Sequence, residues 1–131
     1  ILREMYRPAP DGLCGNDDCG QMSAWYLFSA LGFYPVAPGS NQYVLGSPAV
    51  RRARIDLGGG RSFRIVVENQ APEHVFVAGV WLDGERLDRT WIAHDEIVRG
   101  GELRFLMSDR PNREWGTAPE ARPYSMSKGS D

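Results

Sequence analysis

The sequence predicts an α+β fold, one buried helix followed by an antiparallel β-sheet or sandwich. Three observations carry this. Residues 21–32 include Ala24, Trp25, Tyr26, Leu27, Phe28, Ala30 and Leu31, which leave almost no polar face, and a helix apolar all round is buried on every side. After residue 43 the apolar residues recur with a period of two, as in half-buried strands. Turn residues then punctuate the chain roughly every 10 residues, as in a sandwich or antiparallel sheet.

"ILREMY" reads as the remnant of a helix, and the prolines and Asp-Gly of "RPAPDGL" force a loop after it. The acidic stretch Gly-Asn-Asp-Asp-Cys-Gly-Gln, residues 15–21, precedes the apolar helix. That helix stops at Gly32, the usual left-handed terminator, and Pro35 and Pro38 prevent its continuation. "ARIDL" and "SFRIVVEN" place Ile55, Leu57, Phe63, Ile65 and Val67 on one face, joined as a hairpin by Gly58-Gly59-Gly60. "HVFVAGVWL" is a further strand, and Asp83-Gly84 is a hairpin turn into "ERL". "TWI" is a short strand or bridge, "AHDEIVRGG" a turn with up to one helical turn, and "ELRFLMS" the last strand. Residues 110–131 lack periodicity. The organisation read from this is a helical part over 1–42, an antiparallel β region over 43–116 and a disordered tail over 117–131.

The chain's 131 residues suffice for one small domain. Hydrophobic residues make up 42% and charged residues 24%, both ordinary for a globular protein. A net charge of −2 gives no reason to expect a nucleic-acid partner or a membrane surface, and no stretch approaches the ~20 apolar residues of a membrane span. The chain does not begin with Met, and "ILREMY" lacks the layout of a signal peptide. Together with an apolar helix that has no helical neighbour here, this reads as a fragment of something longer. Cys14 and Cys19 are a Cys-x4-Cys pair. His74 and His94 lie too far away to complete a zinc site, so free thiols, a short-loop disulfide and a metal all stay open.

Asn16, Asp17 and Asp18 put three oxygen-bearing side chains in a row, and Gly15 and Gly20 allow a tight backbone around them. Three readings compete. Acids before a helix serve as caps for its free N–H groups. They also serve in calcium loops, although this spacing is not that of an EF-hand. Lastly, a carboxylate here could act in catalysis, paired with an acid from elsewhere, because adjacent side chains usually diverge. Gln21 and Ser23 follow the loop, where they would contact substrate or cap the helix. Gly58–Gly60 lies between strands and is a turn rather than an anion cradle.

"DGLCGNDDCGQMSAWYLFSALGFYPVAPGSNQYVLGSP" resembles the C-terminal signature of glycoside hydrolase family 92, the exo-acting alpha-mannosidases, and "GGELRFLMSDRPNREWG" is similar to that family's closing segment. The likeness covers roughly residues 1–116 and is most specific over 11–48. The resemblance implies a C-terminal fragment of a calcium-dependent, inverting enzyme that removes terminal alpha-linked mannose. It implies a parent with an N-terminal β-sandwich and an (α/α)6 barrel, and places residues 1–42 at the end of that barrel, so that the apolar helix is a buried barrel helix. The general base of the family's loop maps to Asp18. Asn16 stands where some relatives carry an assisting aspartate, and Asp17 is a supporting or orienting group. The general acid, a glutamate, has no counterpart in this chain. Calcium is expected by resemblance alone, with no ligand assignable here. The implied partners are mannose-containing glycans and the rest of the parent chain. A secreted or periplasmic parent is expected.

An inverting glycosidase needs one protonated carboxyl for the leaving oxygen and one ionised carboxylate to activate water, about 6.5–9.5 Å apart. An ionised base needs polar, hydrogen-bonded surroundings, which glycine amides, an asparagine and a helix N-terminus are expected to provide for Asp18. Trp25, Tyr26, Phe28, Phe33 and Tyr34 at helical spacing read as core. Trp81 and Trp91 read as sandwich core or as a sugar platform, and His94 as a turn or cap residue. The rival to the enzyme reading is a non-catalytic carbohydrate-binding or interdomain β module over 43–116, with a purely structural domain as a third possibility. Lacking the general acid, the fragment alone is expected to be inactive, and with its apolar helix uncovered it is expected to self-associate.

Overall fold

A computed structural model describes residues 1–2, 4–37 and 39–125. Helix α1, Gln21–Leu31, leads into two short strands, β1 (Phe33–Tyr34) and β2 (Gln42–Leu45). Strands β3 (Arg52–Gly58) and β4 (Arg61–Glu68) form the first long hairpin. Strands β5 (Phe76–Leu82) and β6 (Glu85–Arg86) form the second. The chain continues through β7 (Trp91–Ala93), helix α2 (His94–Val98) and β8 (Gly101–Ser108), then a 3-10 turn, Pro119–Ala121.

The strands make two sheets, a three-stranded one ordered β1-β2-β7 and a five-stranded one ordered β3-β4-β8-β5-β6. The expected turns are in place. Gly58, Gly59 and Gly60 all have positive φ between β3 and β4. At the second hairpin Leu82 pairs with Glu85, and Asp83 and Gly84 have φ of 52° and 87°, the left-handed pair that a two-residue loop between twisted strands requires.

Period two sets which side chains face inward. Phe63, Ile65 and Val67 of β4, Leu103, Phe105 and Met107 of β8, and Val80 of β5 meet Phe33, Leu45 and Ile92 of the smaller sheet, with Ile97 of α2. The β4–β8 register sets Ile65 beside Leu103 and Val67 beside Phe105, and β5 brings Val80 to the other side of Phe105. Strand β8 is therefore the centre of the large sheet. The β region has the anticipated layered character, and one core serves both sheets.

Four features differ from the sequence reading. The β4–β8 pair is parallel, so the large sheet is mixed rather than antiparallel. Periodicity reports which face is apolar, not strand direction. The long connection through β5, β6, β7 and α2 supplies the crossover a parallel pair needs. Second, α1 is not buried on every side. Ala30 is its buried residue, while Leu27 is 60% and Tyr26 40% exposed. One flank packs on the β region; on the opposite flank the Tyr6 ring leans on Tyr26, and Leu27 stays largely exposed. Third, β1 and β2 were not anticipated. They are short, the Pro-Gly-rich loop between them masks their pattern, and the pairing of β1 with β2 and of β2 with β7 makes them strands. Fourth, the chain stays anchored beyond residue 116. The backbone N–H of Thr90 donates to the Ala121 carbonyl (2.9 Å), and that of Tyr124 donates to the Gln42 side chain (2.7 Å). Residues 126–131 of the expected tail lie outside the described residues. At the other end, the N–H groups of Glu4 and Met5 donate to the Ile1 carbonyl. Among the described residues no helix is long and apolar enough to cross a membrane.

Leu103 is 0% exposed on the central strand. Leu103→Ala is expected to lower stability by about 2–5 kcal/mol, the range for a buried leucine whose cavity cannot collapse, measured from urea unfolding midpoints.

Candidate active-site loop

The loop before α1 gives its two adjacent aspartates different environments. The carboxylate of Asp17 accepts the backbone N–H of Ser23 (2.8 Å) on one oxygen and the Ser23 hydroxyl (2.8 Å) on the other. Its backbone carbonyl accepts the N–H groups of Gly20 and Gln21 at 3.1 and 2.8 Å. Asp17 thus occupies the donors at the start of α1, where an acid is stabilised by free N–H groups and by the helix dipole. These bonds hold its pKa below the ordinary 3.8. The backbone and then the hydroxyl of Ser23 contribute most, partial desolvation opposes them, and the Met22 N–H assists.

Asp18, Cys19 and Gly20 then run through three consecutive left-handed conformations, with φ of 46°, 60° and 92°. Only glycine adopts that region freely, so the loop's shape depends on the bonds Asp17 makes on either side. This course leaves Asp18 exposed. Among the described residues its carboxylate has no hydrogen bond or ion pair. Asn16 is exposed as well. Gln21 donates its backbone N–H to Asp17 and presents its side chain to solvent. Ser23 has both its N–H and its hydroxyl committed to Asp17. The polar surroundings expected around Asp18 are therefore found around Asp17, because the helix N–H groups point at the residue that precedes the left-handed run.

Sequence reasoning passed over one neighbour of the loop. The half-buried Tyr6 ring stacks on Trp25 at 5.6 Å and leans on Tyr26 at 4.9 Å. Its phenol pKa is raised by desolvation, then by the neighbouring Cys14 and Asp17. Beside it a cavity of about 600 Å³ is lined by Tyr6, Arg7, Leu13, Ser23, Tyr26 and Leu27, among others. The available signal was one aromatic at the end of "ILREMY", uninterpretable until that segment folds back on α1.

The remaining candidates lie in the β region. A guanidinium sits over one face of Trp81 and of Trp91, Arg104 over Trp81 at 4.8 Å and Arg89 over Trp91 at 4.6 Å. Arg89 also pairs with Glu96 at 2.6 Å. His94 opens α2 and stacks on Tyr43, whose hydroxyl lies 3.1 Å from Nδ1. Cys14 and Cys19 are free and exposed. Among the described residues no three His, Cys, Asp or Glu side chains converge as a metal cluster. With both Asp17 oxygens engaged by Ser23, the donors of the loop do not make a calcium cage.

Residues 1–109 match the glycosyl hydrolase family 92 catalytic domain. The chain belongs to this family. It is 40% identical to a family GH92 alpha-mannosidase from Bacteroides thetaiotaomicron, solved in complex with mannoimidazole, with a TM-score of 0.89 over 95% of this chain and 16% of that one. A family GH92 inverting mannosidase from Bacteroides thetaiotaomicron VPI-5482 is 39% identical, with a TM-score of 0.88 over 98% of this chain and 17% of that one. An uncharacterized secreted glycosidase of Arthroderma benhamiae is 30% identical over 121 residues, 90% of this chain and 16% of that protein. The family 92 chain thus spans about a sixth of these relatives. The loop and α1 fall inside the matched region.

The linkage between Asp17 and Ser23 has a definite sign. A carboxylate whose folded pKa is depressed contributes stability above its unfolded value, and that contribution is lost as pH falls through the folded value. The Ser23 amide resonance is expected to titrate with a midpoint below 3.8. In Asp17→Asn the titration should vanish, and loop stability should no longer fall over that acid range. NMR titration of the amide reads both.

Proposed function

We propose that this chain is the C-terminal part of a calcium-dependent inverting alpha-mannosidase that hydrolyses terminal alpha-linked mannose, and that it supplies the general base, Asp18. Family membership supports the glycosidase class. The name of one relative, an inverting mannosidase, supports the substrate and the stereochemical course. The observation that carries the choice of Asp18 is the division of labour in the loop. Asp17 is tied to Ser23 on both oxygens, whereas Asp18 is exposed with an unengaged carboxylate.

In the proposed reaction Asp18 takes a proton from water as that water's oxygen attacks the anomeric carbon. A carboxylic acid from the rest of the parent chain gives its proton to the departing glycosidic oxygen. The separation that admits the water is about 6.5–9.5 Å between the two carboxyls. Asn16 is assigned to hydrogen-bond the water. Asp17 holds the loop's shape and the helix start, with Ser23 as its partner, which leaves Gln21 as the candidate to meet the sugar. Without the acid, the isolated chain is expected to hydrolyse no alpha-mannoside. The donors described here do not form a calcium cage, so the ion is proposed to be held in the parent by residues outside this chain. A glycan-binding β module has less support, because Trp81 and Trp91 each carry a guanidinium over a face.

In the full-length parent, Asp18→Asn is expected to lower turnover of an aryl alpha-mannoside by about 10²–10⁴, the usual worth of general-base assistance, with the circular dichroism spectrum unchanged. Near-normal turnover would remove Asp18 from the base role. Proton NMR of the wild-type reaction should show beta-mannose as the first product, and chelation with EDTA followed by calcium should abolish and restore activity.

A further inference from the structure

We infer that Tyr43, on β2 and remote from the loop, is a positioning residue whose ring sets the tilt of α1 and so the place of Asp18. The inference rests on Asp18 being the base.

Among the described residues, helix α1 meets the β region over its last turn, with Leu31 on the shared core and two contacts that fix its direction. The first is a pivot at its C-terminal end. The Ala30 carbonyl accepts the Ala49 N–H at 2.9 Å, and the Gly32 carbonyl accepts the Gly46 N–H at 2.9 Å. The second fixes the angle about that pivot. Phe28 stacks on Tyr43, with centroids 6.0 Å apart and planes at 30°, and meets Phe33 edge-on at 5.8 Å.

Tyr43 is itself clamped. It lies opposite Ile92 in the β2–β7 register, meets Phe33 at right angles at 5.6 Å, and is covered by the His94 ring at 6.0 Å. Among the described residues, the far end of the helix has no hydrogen bond or ring contact to the β region. Hydrogen bonds of residues 15–20 run within the loop or into the first turns of α1, and those of the described residues 1–12 run among themselves. Tyr6 leans on Trp25 and Tyr26, so its segment follows the helix.

Eleven residues at about 1.5 Å each make a lever of about 16 Å, so a tilt of about 4° at the Tyr43 end displaces the loop by about 1 Å. A displacement of about 1 Å from productive geometry can cost about 10² in rate. The base touches water, so the loss should appear chiefly in kcat, with a smaller change in KM because Gln21, the candidate sugar contact, rides on the same end of the helix.

The test uses the full-length protein and p-nitrophenyl alpha-mannoside. Tyr43→Ala is expected to lower kcat by about 10–100-fold with KM changed by less than about 3-fold. Tyr43→Phe, which keeps the flat ring, should retain kcat within about 3-fold. A purely structural role would lower the melting temperature and the folded fraction while leaving kcat per folded molecule intact, and that result overturns the inference. Equal loss in Tyr43→Phe also overturns it, because the hydroxyl and not the ring would then matter. If Tyr43→Ala does not fold, Phe28→Leu removes the stacked ring with less loss of volume. Lowered kcat with KM changed by less than about 3-fold supports the inference, and unchanged kcat overturns it. Asp18→Asn run alongside separates the two ideas. Full activity there defeats the base assignment, whereas an inactive Asp18→Asn beside a fully active Tyr43→Ala defeats the positioning role alone.

Discussion

The structure depends on a junction at Gly32. There α1 ends in a left-handed turn, φ 92°, and the Gly32 N–H closes the helix on the carbonyls of Phe28 and Ser29. A side chain at this point would meet Pro48 at 3.0 Å and Phe105 at 3.1 Å. The helix end therefore abuts the Phe105 ring, which projects from the central strand β8. Glycine is required twice over, by the backbone angle and by the space. With Phe28 and Leu31 packed beside it, this contact joins the loop-bearing helix to the core that both sheets share, and it puts Phe33 straight into that core at 2% exposure.

From that junction outward, order is passed along the helix to the loop. Two neighbouring carboxylates of the same chemical type end up in opposite states. Asp17 precedes the left-handed run and captures the N–H groups of the helix start. Asp18 begins the run and is carried into solvent. Helix geometry thus separates a structural acid from a free one. In the proposed reaction that separation is useful, because a base must keep a lone pair for water while its loop holds still.

Much of the β region was legible because its signals are local. The glycine run and Asp83-Gly84 specify turns through backbone angles that few other residues adopt. The alternation in β4 and β8 specifies which side chains enter the core. Strand direction is not local. It follows from where the chain travels between residues 69 and 100, which period two cannot report. The two-residue β1 carries no period of its own and exists through its partner. The tail looked structureless from composition, yet Ala121 is buried beneath Thr90, a contact set by packing at long range.

The sequence by itself determined the family, the stop at Gly32 and the acidic loop as the place to look. Each rests on residue identity and spacing, which need no partner to be read. Only the tertiary structure decided which aspartate is engaged. Neighbouring residues with the same side chain are distinguished solely by where the backbone points them. It also decided that α1 has one flank packed on the core and another left largely exposed, because burial belongs to what packs against a helix and not to the helix's own composition.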